Sequence, residues 1–163
     1  MSLIAVVMLL ANYVGLIINI TPSIKKGFYV KSSGEIGRGD IVSVCLREPY
    51  KQIALERKYI AKGTKCSGAD PLVKEVLAMP GDTVVLAADY IEVNAHKYIL
   101  PTHRVDSAGR KLAAYPRGTY ARTSGYWLVG SNSEKSWDSR YFGPVGKEQI
   151  IAKLKPLLVW QGR

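Results

Sequence analysis

The longest apolar run of the chain comes first. Leu3 to Ile20 reads LIAVVMLLANYVGLIINI and carries no charge. As a helix it would span about 27 Å, close to the roughly 30 Å of a bilayer's hydrocarbon core. Asn12, Gly15 and Asn19 weaken it. A buried core helix and a cleaved signal peptide are the rival readings. No basic segment precedes the run and no Ala-x-Ala site follows it, which favours a retained membrane anchor over residues 1–20. Lys25, Lys26 and Lys31 come after the run and only Met1 and Ser2 before it. A positive-inside count alone would therefore leave the remainder in the cytoplasm.

Beyond residue 20 the pattern changes to short β-like runs separated by turns. Gly37-Arg38-Gly39-Asp40 is turn chemistry, and Ile41 to Leu46 follows as a strand-like run. Leu72 to Met79 is another, closed by Pro80-Gly81-Asp82. Thr83 to Leu86 and Tyr90 to Val93 form the two halves of an expected hairpin, and Tyr126 to Gly130 a short strand. The tail, Ile150 to Trp160, is apolar but interrupted by Pro156. Residues 50–70 and 101–123 carry little pattern and read as loops or edge extensions. Many short strands without long helical periods predict a mainly β, antiparallel domain over residues 21–163, behind the one helix.

Composition narrows the choice. The 163 residues suffice for one core and are too few for two ordinary domains. With 47% hydrophobic and 22% charged residues the chain is not of a disordered type. The net charge of +10 is scattered, without a dense Lys/Arg tract. That argues against nucleic acid and suits the anionic surface of a cytoplasmic membrane, where each cation contributes about 1 kcal/mol. The histidines, His96 and His103, and the cysteines, Cys45 and Cys66, form no metal-ligand spacing. The cysteines could bridge in an oxidising compartment or stay as half-buried thiols; both readings are open.

Three segments could carry chemistry. Thr21-Pro22-Ser23 places a hydroxyl directly after the apolar run; alone, it reads as a turn ending a helix. On a strand, Leu72, Lys74, Val76 and Ala78 share one face. Lys74 is the single charge there, and desolvation lowers a lysine pKa from about 10.4 towards the range of a general base. A lysine whose stem snorkels to water is the bland alternative. Gly130 to Gly143, GSNSEKSWDSRYFG, is a polar loop closed by aromatics. In it Asp138 and Arg140 could pair and Ser136 could orient a base. His103, Asp106 and Ser107 include the types of a serine triad, but nothing in the sequence fixes their geometry.

In order and wording these segments resemble the bacterial type I signal peptidases, the S26 family of Ser/Lys peptidases. That family has a serine-x-serine box after its anchor, similar to Thr21-Pro22-Ser23, and a Gly-Asp-[Ile/Val]-Val box like Gly39 to Val42. It has a lysine six residues before Pro-Gly-Asp, as Lys74 stands to Pro80, and a Gly-x-Asn box ending in Ser-x-Asp-Ser-Arg-Tyr, as in Gly130 to Tyr141. The match is best with the conjugative-transfer branch, whose nucleophile box resembles Asn19-Ile20-Thr21-Pro22-Ser23 and whose two cysteines resemble Cys45 and Cys66. Lys25 stands where that branch often has proline, and Ile24 where general leader peptidases have methionine.

The resemblance implies a signal-peptidase-like β domain facing the bacterial periplasm from a single-pass inner-membrane anchor. It implies Ser23 as nucleophile and Lys74 as general base. The Ser23 N–H and the Thr21 hydroxyl would form the oxyanion hole, with Ser136, Asp138 and Arg140 supporting. No cofactor is required. The expected substrate is the precursor of an exported protein, in this branch a conjugative pilin, cleaved or cyclised. The rivals are a LexA-like self-cleaving peptidase and a non-catalytic anchored subunit of a conjugation or type IV secretion apparatus.

Overall fold

The alternation along Leu72 to Ala78 is the organising pattern of the domain. The computed structural model describes residues 15–160, and in it this segment is a strand whose Leu72, Lys74 and Val76 are buried while Val73 and Glu75 are partly exposed. In chain order the strands are β1 (Leu16–Asn19), β2 (Lys26–Ser32), β3 (Ile41–Val44), β4 (Leu72–Ala78), β5 (Val84–Leu86), β6 (Ile91–Val93), β7 (His96–Tyr98), β8 (Gly118–Tyr120), β9 (Trp127–Val129) and β10 (Ile150–Trp160). Among the described residues two short helices, α1 (Tyr50–Glu56) and α2 (Ser139–Phe142), accompany these strands, with a 3-10 turn at Lys147–Gln149.

Ten antiparallel strands form two sheets, a six-stranded one in the order β1-β2-β10-β3-β4-β9 and a four-stranded one in the order β7-β6-β5-β8. β4 joins the cores of both. Its pairing with β9 shifts register between Val76 and Ala78. A bulge of this kind turns the following side chains to a new direction. Leu72 and Val76 accordingly pack with Val42, Val44 and Leu128, whereas Leu77 and Ala78 pack with Val84, Ile91 and Trp127. A third cluster of Ile24, Tyr29 and Leu154 lies under the β1–β2 hairpin.

β10 is the central seam. It pairs with β2 on one side and β3 on the other. Pro156, read as an interruption, stays within the strand because the register with β2 shifts beside it, between Pro156 and Leu158. The fit against β2 is close: a Cβ on Gly27 would lie 2.3 Å from the Leu158 carbonyl oxygen.

Two expectations are corrected. Of the helix read over Leu3 to Ile20, residues 3–14 lie outside the described residues, but Leu16–Asn19 is a strand paired with β2. The β domain thus includes residues assigned from sequence to the anchor. An all-apolar run has no period to separate helix from strand, and here the partner strand decides. No helix among the described residues is long and apolar enough to cross a membrane. Residues 50–70 are neither all loop nor edge extension, since α1 begins them; Gly118–Tyr120 in the second unpatterned stretch is an edge strand beside β5, in keeping with an edge extension.

Cys45, just after β3, is bonded to Cys66, their Cα atoms 5.3 Å apart across 21 residues of sequence. Closing a loop of that length restricts the unfolded chain by about 3 kcal/mol. The double variant Cys45→Ser/Cys66→Ser should therefore lose about 2–4 kcal/mol in urea denaturation. Reductant should bring the unmodified protein to the same midpoint and leave the variant unchanged.

Candidate active site

Lys74 lies opposite Val42 in the β3–β4 pair and is 2% exposed. Its Nζ donates to Ser136 Oγ at 3.0 Å. Burial pushes the ammonium pKa down to about 8; Asp138 pulls it back up and Arg140 adds to the lowering. The amine is thus a base near neutral pH because its surroundings desolvate it.

Ser136 owes its place to the loop between β9 and α2. The Asp138 and Arg140 side chains are fully buried and paired bidentately, with Nε to Oδ1 and Nη2 to Oδ2 both at 2.8 Å. Arg140 further donates from Nη1 to the Pro101 carbonyl at 2.5 Å and from Nη2 to the Ser136 carbonyl at 3.1 Å. Asp138 accepts from the Gly130 N–H at 3.0 Å, so one ion pair clasps both ends of the loop. Gly130 has to be glycine: a Cβ there would lie 2.1 Å from Ser136 Oγ.

Ser23 stands in the turn between β1 and β2, and that turn is built on Asn19. Asn19, 4% exposed, donates from Nδ2 to the carbonyls of Thr21 (3.0 Å), Ile24 (3.3 Å) and Lys25 (3.2 Å). Its Oδ1 accepts from the Thr21 N–H at 3.3 Å and from the Thr21 hydroxyl at 2.7 Å. Asn132, from the loop after β9, donates from its N–H to the Ser23 carbonyl and from Nδ2 to the Pro22 carbonyl, both at 3.0 Å. The turn is therefore stitched to the loop that carries Ser136.

Thr21, Ser23, Lys74 and Ser136 all line one open cleft of about 1280 Å³. Among the described residues no hydrogen bond joins Ser23 Oγ to Lys74 Nζ. What the cleft holds is a half-buried hydroxyl on one wall and a low-pKa amine on another, the parts needed to activate a serine. The triad types of the 101–123 segment are not brought together. Asp106 accepts from Tyr59 Oη at 2.6 Å and from Arg110 Nε at 2.7 Å, and the His103 N–H donates to Tyr141 Oη. Among the described residues no three His, Cys, Asp or Glu side chains cluster as metal ligands would.

Sequence reasoning singled out the hydroxyl and the amine but gave no role to Asn19, Gly130 or Asn132. Asn19 had a signal, being a polar side chain in an apolar run that ends at a candidate serine.

A family model described as "Signal peptidase, peptidase S26" matches residues 1–160. The chain is 34% identical over 158 residues to the plasmid transfer protein TraF of Escherichia coli, covering 92% of this chain and 86% of that one. It is 32% identical over 158 residues to the conjugal transfer protein TraF of Agrobacterium fabrum, covering 92% and 88%. Among solved structures, a signal peptidase I from Enterococcus faecalis V583 aligns over 76% of this chain and 100% of that one, at 20% identity and a TM-score of 0.42.

Two outcomes are expected of the site's energetics. Asn19→Leu keeps the branched shape and removes all five hydrogen bonds, leaving the buried Ile24 carbonyl without that partner; it should lose about 2–3 kcal/mol in denaturant unfolding. For Lys74, the native amine releases its proton near pH 8 and the unfolded one near 10.5. Between those values the unfolded chain binds more protons, so stability rises with pH. Lys74→Met lacks that rise. Its stability advantage over the unmodified protein should shrink by about 3 kcal/mol between pH 7 and pH 10.5, read from urea midpoints.

Proposed function

The chain belongs to the signal peptidase family S26, and we propose that within it the protein is a membrane-anchored serine endopeptidase that processes an exported precursor. The observation that carries this reading is the buried Lys74 amine, brought to a pKa of about 8 and facing the same cleft as Ser23.

In the proposed mechanism Lys74 takes the Ser23 hydroxyl proton as Ser23 Oγ attacks the scissile carbonyl, and the same amine returns the proton to the leaving nitrogen. Ser136 Oγ holds Nζ in place, and the Asp138–Arg140 pair holds Ser136. The oxyanion would take the Ser23 N–H and the Thr21 hydroxyl. The Thr21 hydroxyl proton points at Asn19 Oδ1 in the structure. It must turn from that acceptor to the developing negative charge, an interaction worth about 10²–10³ in rate where it forms.

The TraF relatives support a precursor belonging to plasmid conjugation. We take it to be a pilin subunit, released by water or joined end to end when an amine intercepts the acyl-enzyme. The Cys45–Cys66 bond suits an oxidising compartment, and with the apolar residues ahead of β1 it supports a periplasmic domain on an inner-membrane anchor.

The test is cleavage of the co-expressed pilin precursor, followed by mass spectrometry. Ser23→Ala and Lys74→Ala should each lower turnover by at least about 10⁴-fold. A product one water lighter than the hydrolysed one would identify cyclisation. Undiminished cleavage in both variants would instead leave a non-catalytic conjugation subunit as the reading. For the active enzyme, kcat/KM should rise with pH and level off above an apparent pKa near 8, because the free enzyme acts only with Lys74 neutral.

A further inference from the structure

The cleft that holds Ser23 has a strongly cationic wall. Lys58, Lys62 and Lys65 line it from the segment between α1 and β4, and Lys135 from the loop that carries Ser136. All four are exposed, and among the described residues none makes an ion pair. Arg57 and Arg110 also line the cleft but are engaged with Asp106. Asp70 is the other acid on the wall. The balance is a surplus of positive charge inside a concavity, where low-dielectric walls focus the field.

These lysines stand on a braced support. Residues 61–70 are cross-tied by the Lys62–Ala69 bridge and by hydrogen bonds from Cys66 N–H to the Ala69 carbonyl and from Asp70 N–H to the Ala61 carbonyl. The Cys66–Cys45 bond fastens them to the end of β3.

Lys58 gives a second, independent sign. α1 ends in a Schellman turn: the Tyr59 N–H bonds to the Ala54 carbonyl at 2.8 Å and the Lys58 N–H to the Leu55 carbonyl at 3.1 Å. The position between has φ 58°, the left-handed conformation that glycine fills most readily. A lysine there costs about 1 kcal/mol against glycine. A residue that is locally unfavourable and lines a functional cleft points to a use for its side chain.

We propose that Lys58, Lys62, Lys65 and Lys135 form a subsite for an acidic segment of the precursor, beside the residues that are cleaved. This rests on the peptidase reading and adds the substrate's charge to it. The occupant is a peptide because the cations line a concave wall shared with Ser23. An extended chain reaching Ser23, at about 3.3 Å per residue, passes along that wall, whereas a flat bilayer surface does not enter it.

The experiment uses the full chain in non-ionic detergent with two fluorescent peptides. Both carry the same small residues around the cleaved bond and differ in a flanking run of Asp/Glu or of Asn/Gln, placed before or after that bond. Binding is measured on Ser23→Ala, so that it is read independently of catalysis, and kcat/KM on the active enzyme. The acidic peptide should bind at least about tenfold tighter from one side of the bond, with the preference carried in KM and collapsing by about 0.5 M salt. In Lys58→Gly/Lys62→Gln/Lys65→Gln the preference should vanish while cleavage of the neutral peptide is retained. Lys58→Gly alone should raise the Tm while weakening the acidic peptide. Equal binding of acidic and neutral peptides overturns the subsite, and cleavage of both alike would show that the peptidase reading survives it. Lysine variants that keep the acidic preference but release anionic phosphatidylglycerol vesicles would overturn it in favour of a lipid role.

Discussion

A fully buried ion pair, Asp138 with Arg140, is the constraint on which the site depends. Removing two charges from water is expensive, and their attraction offsets this only with good geometry and no idle donors. Both conditions are met. The fork is bidentate, the remaining guanidinium hydrogens reach the Pro101 and Ser136 carbonyls, and the carboxylate also takes the Gly130 and Arg140 N–H groups. A hydrophobic pair of the same volume could fill the space. It could not dictate where residues 130 to 140 run. The pair therefore contributes specificity of loop path, and the loop path places Ser136 against Lys74.

Around that clasp the domain solves two opposite problems. For the proposed chemistry Lys74 has to be stripped of water to become a base, and the buried face of β4 does this through Leu72 and Val76 on either side of it in the alternation. Ser23 has to stay open to the cleft, and so cannot be held by packing. It is held by backbone hydrogen bonds instead, with Asn19 gathering the carbonyls within the turn and Asn132 fixing it from outside. One residue is defined by what excludes water, the other by a polar scaffold that tolerates it.

Much of this was legible in the sequence where a pattern was local. The β4 alternation announced which way Lys74 faces, and Pro80-Gly81-Asp82 marked the end of its strand. Legibility failed where the deciding partner was distant. Leu16–Asn19 is uniformly apolar, and only β2 makes it a strand. α1 has seven residues and buries Ala54 alone, too short and too exposed for a helical period to register. Pro156 looked like a break because the shift that accommodates it belongs to the pairing with β2. For the site, residue types were readable and contacts were not. Asn19 was visible as part of a box, but its five bonds arise only when the β1–β2 hairpin closes.

The position of β10 bears on how the site is assembled. The hairpin that carries Ser23 and the β3–β4 pair that carries Lys74 do not touch each other in the sheet; β10 lies between them and hydrogen-bonds to both. Its residues are translated after every element of the cleft. Besides the Asn132 bonds that tie the Ser23 turn to the Ser136 loop, this strand supplies the shared sheet frame of the two groups. Pairing of this late strand with both β2 and β3 sets the hairpin and the β3–β4 pair in one sheet. Under the proposed reading, assembly of the cleft is thereby tied to completion of the domain.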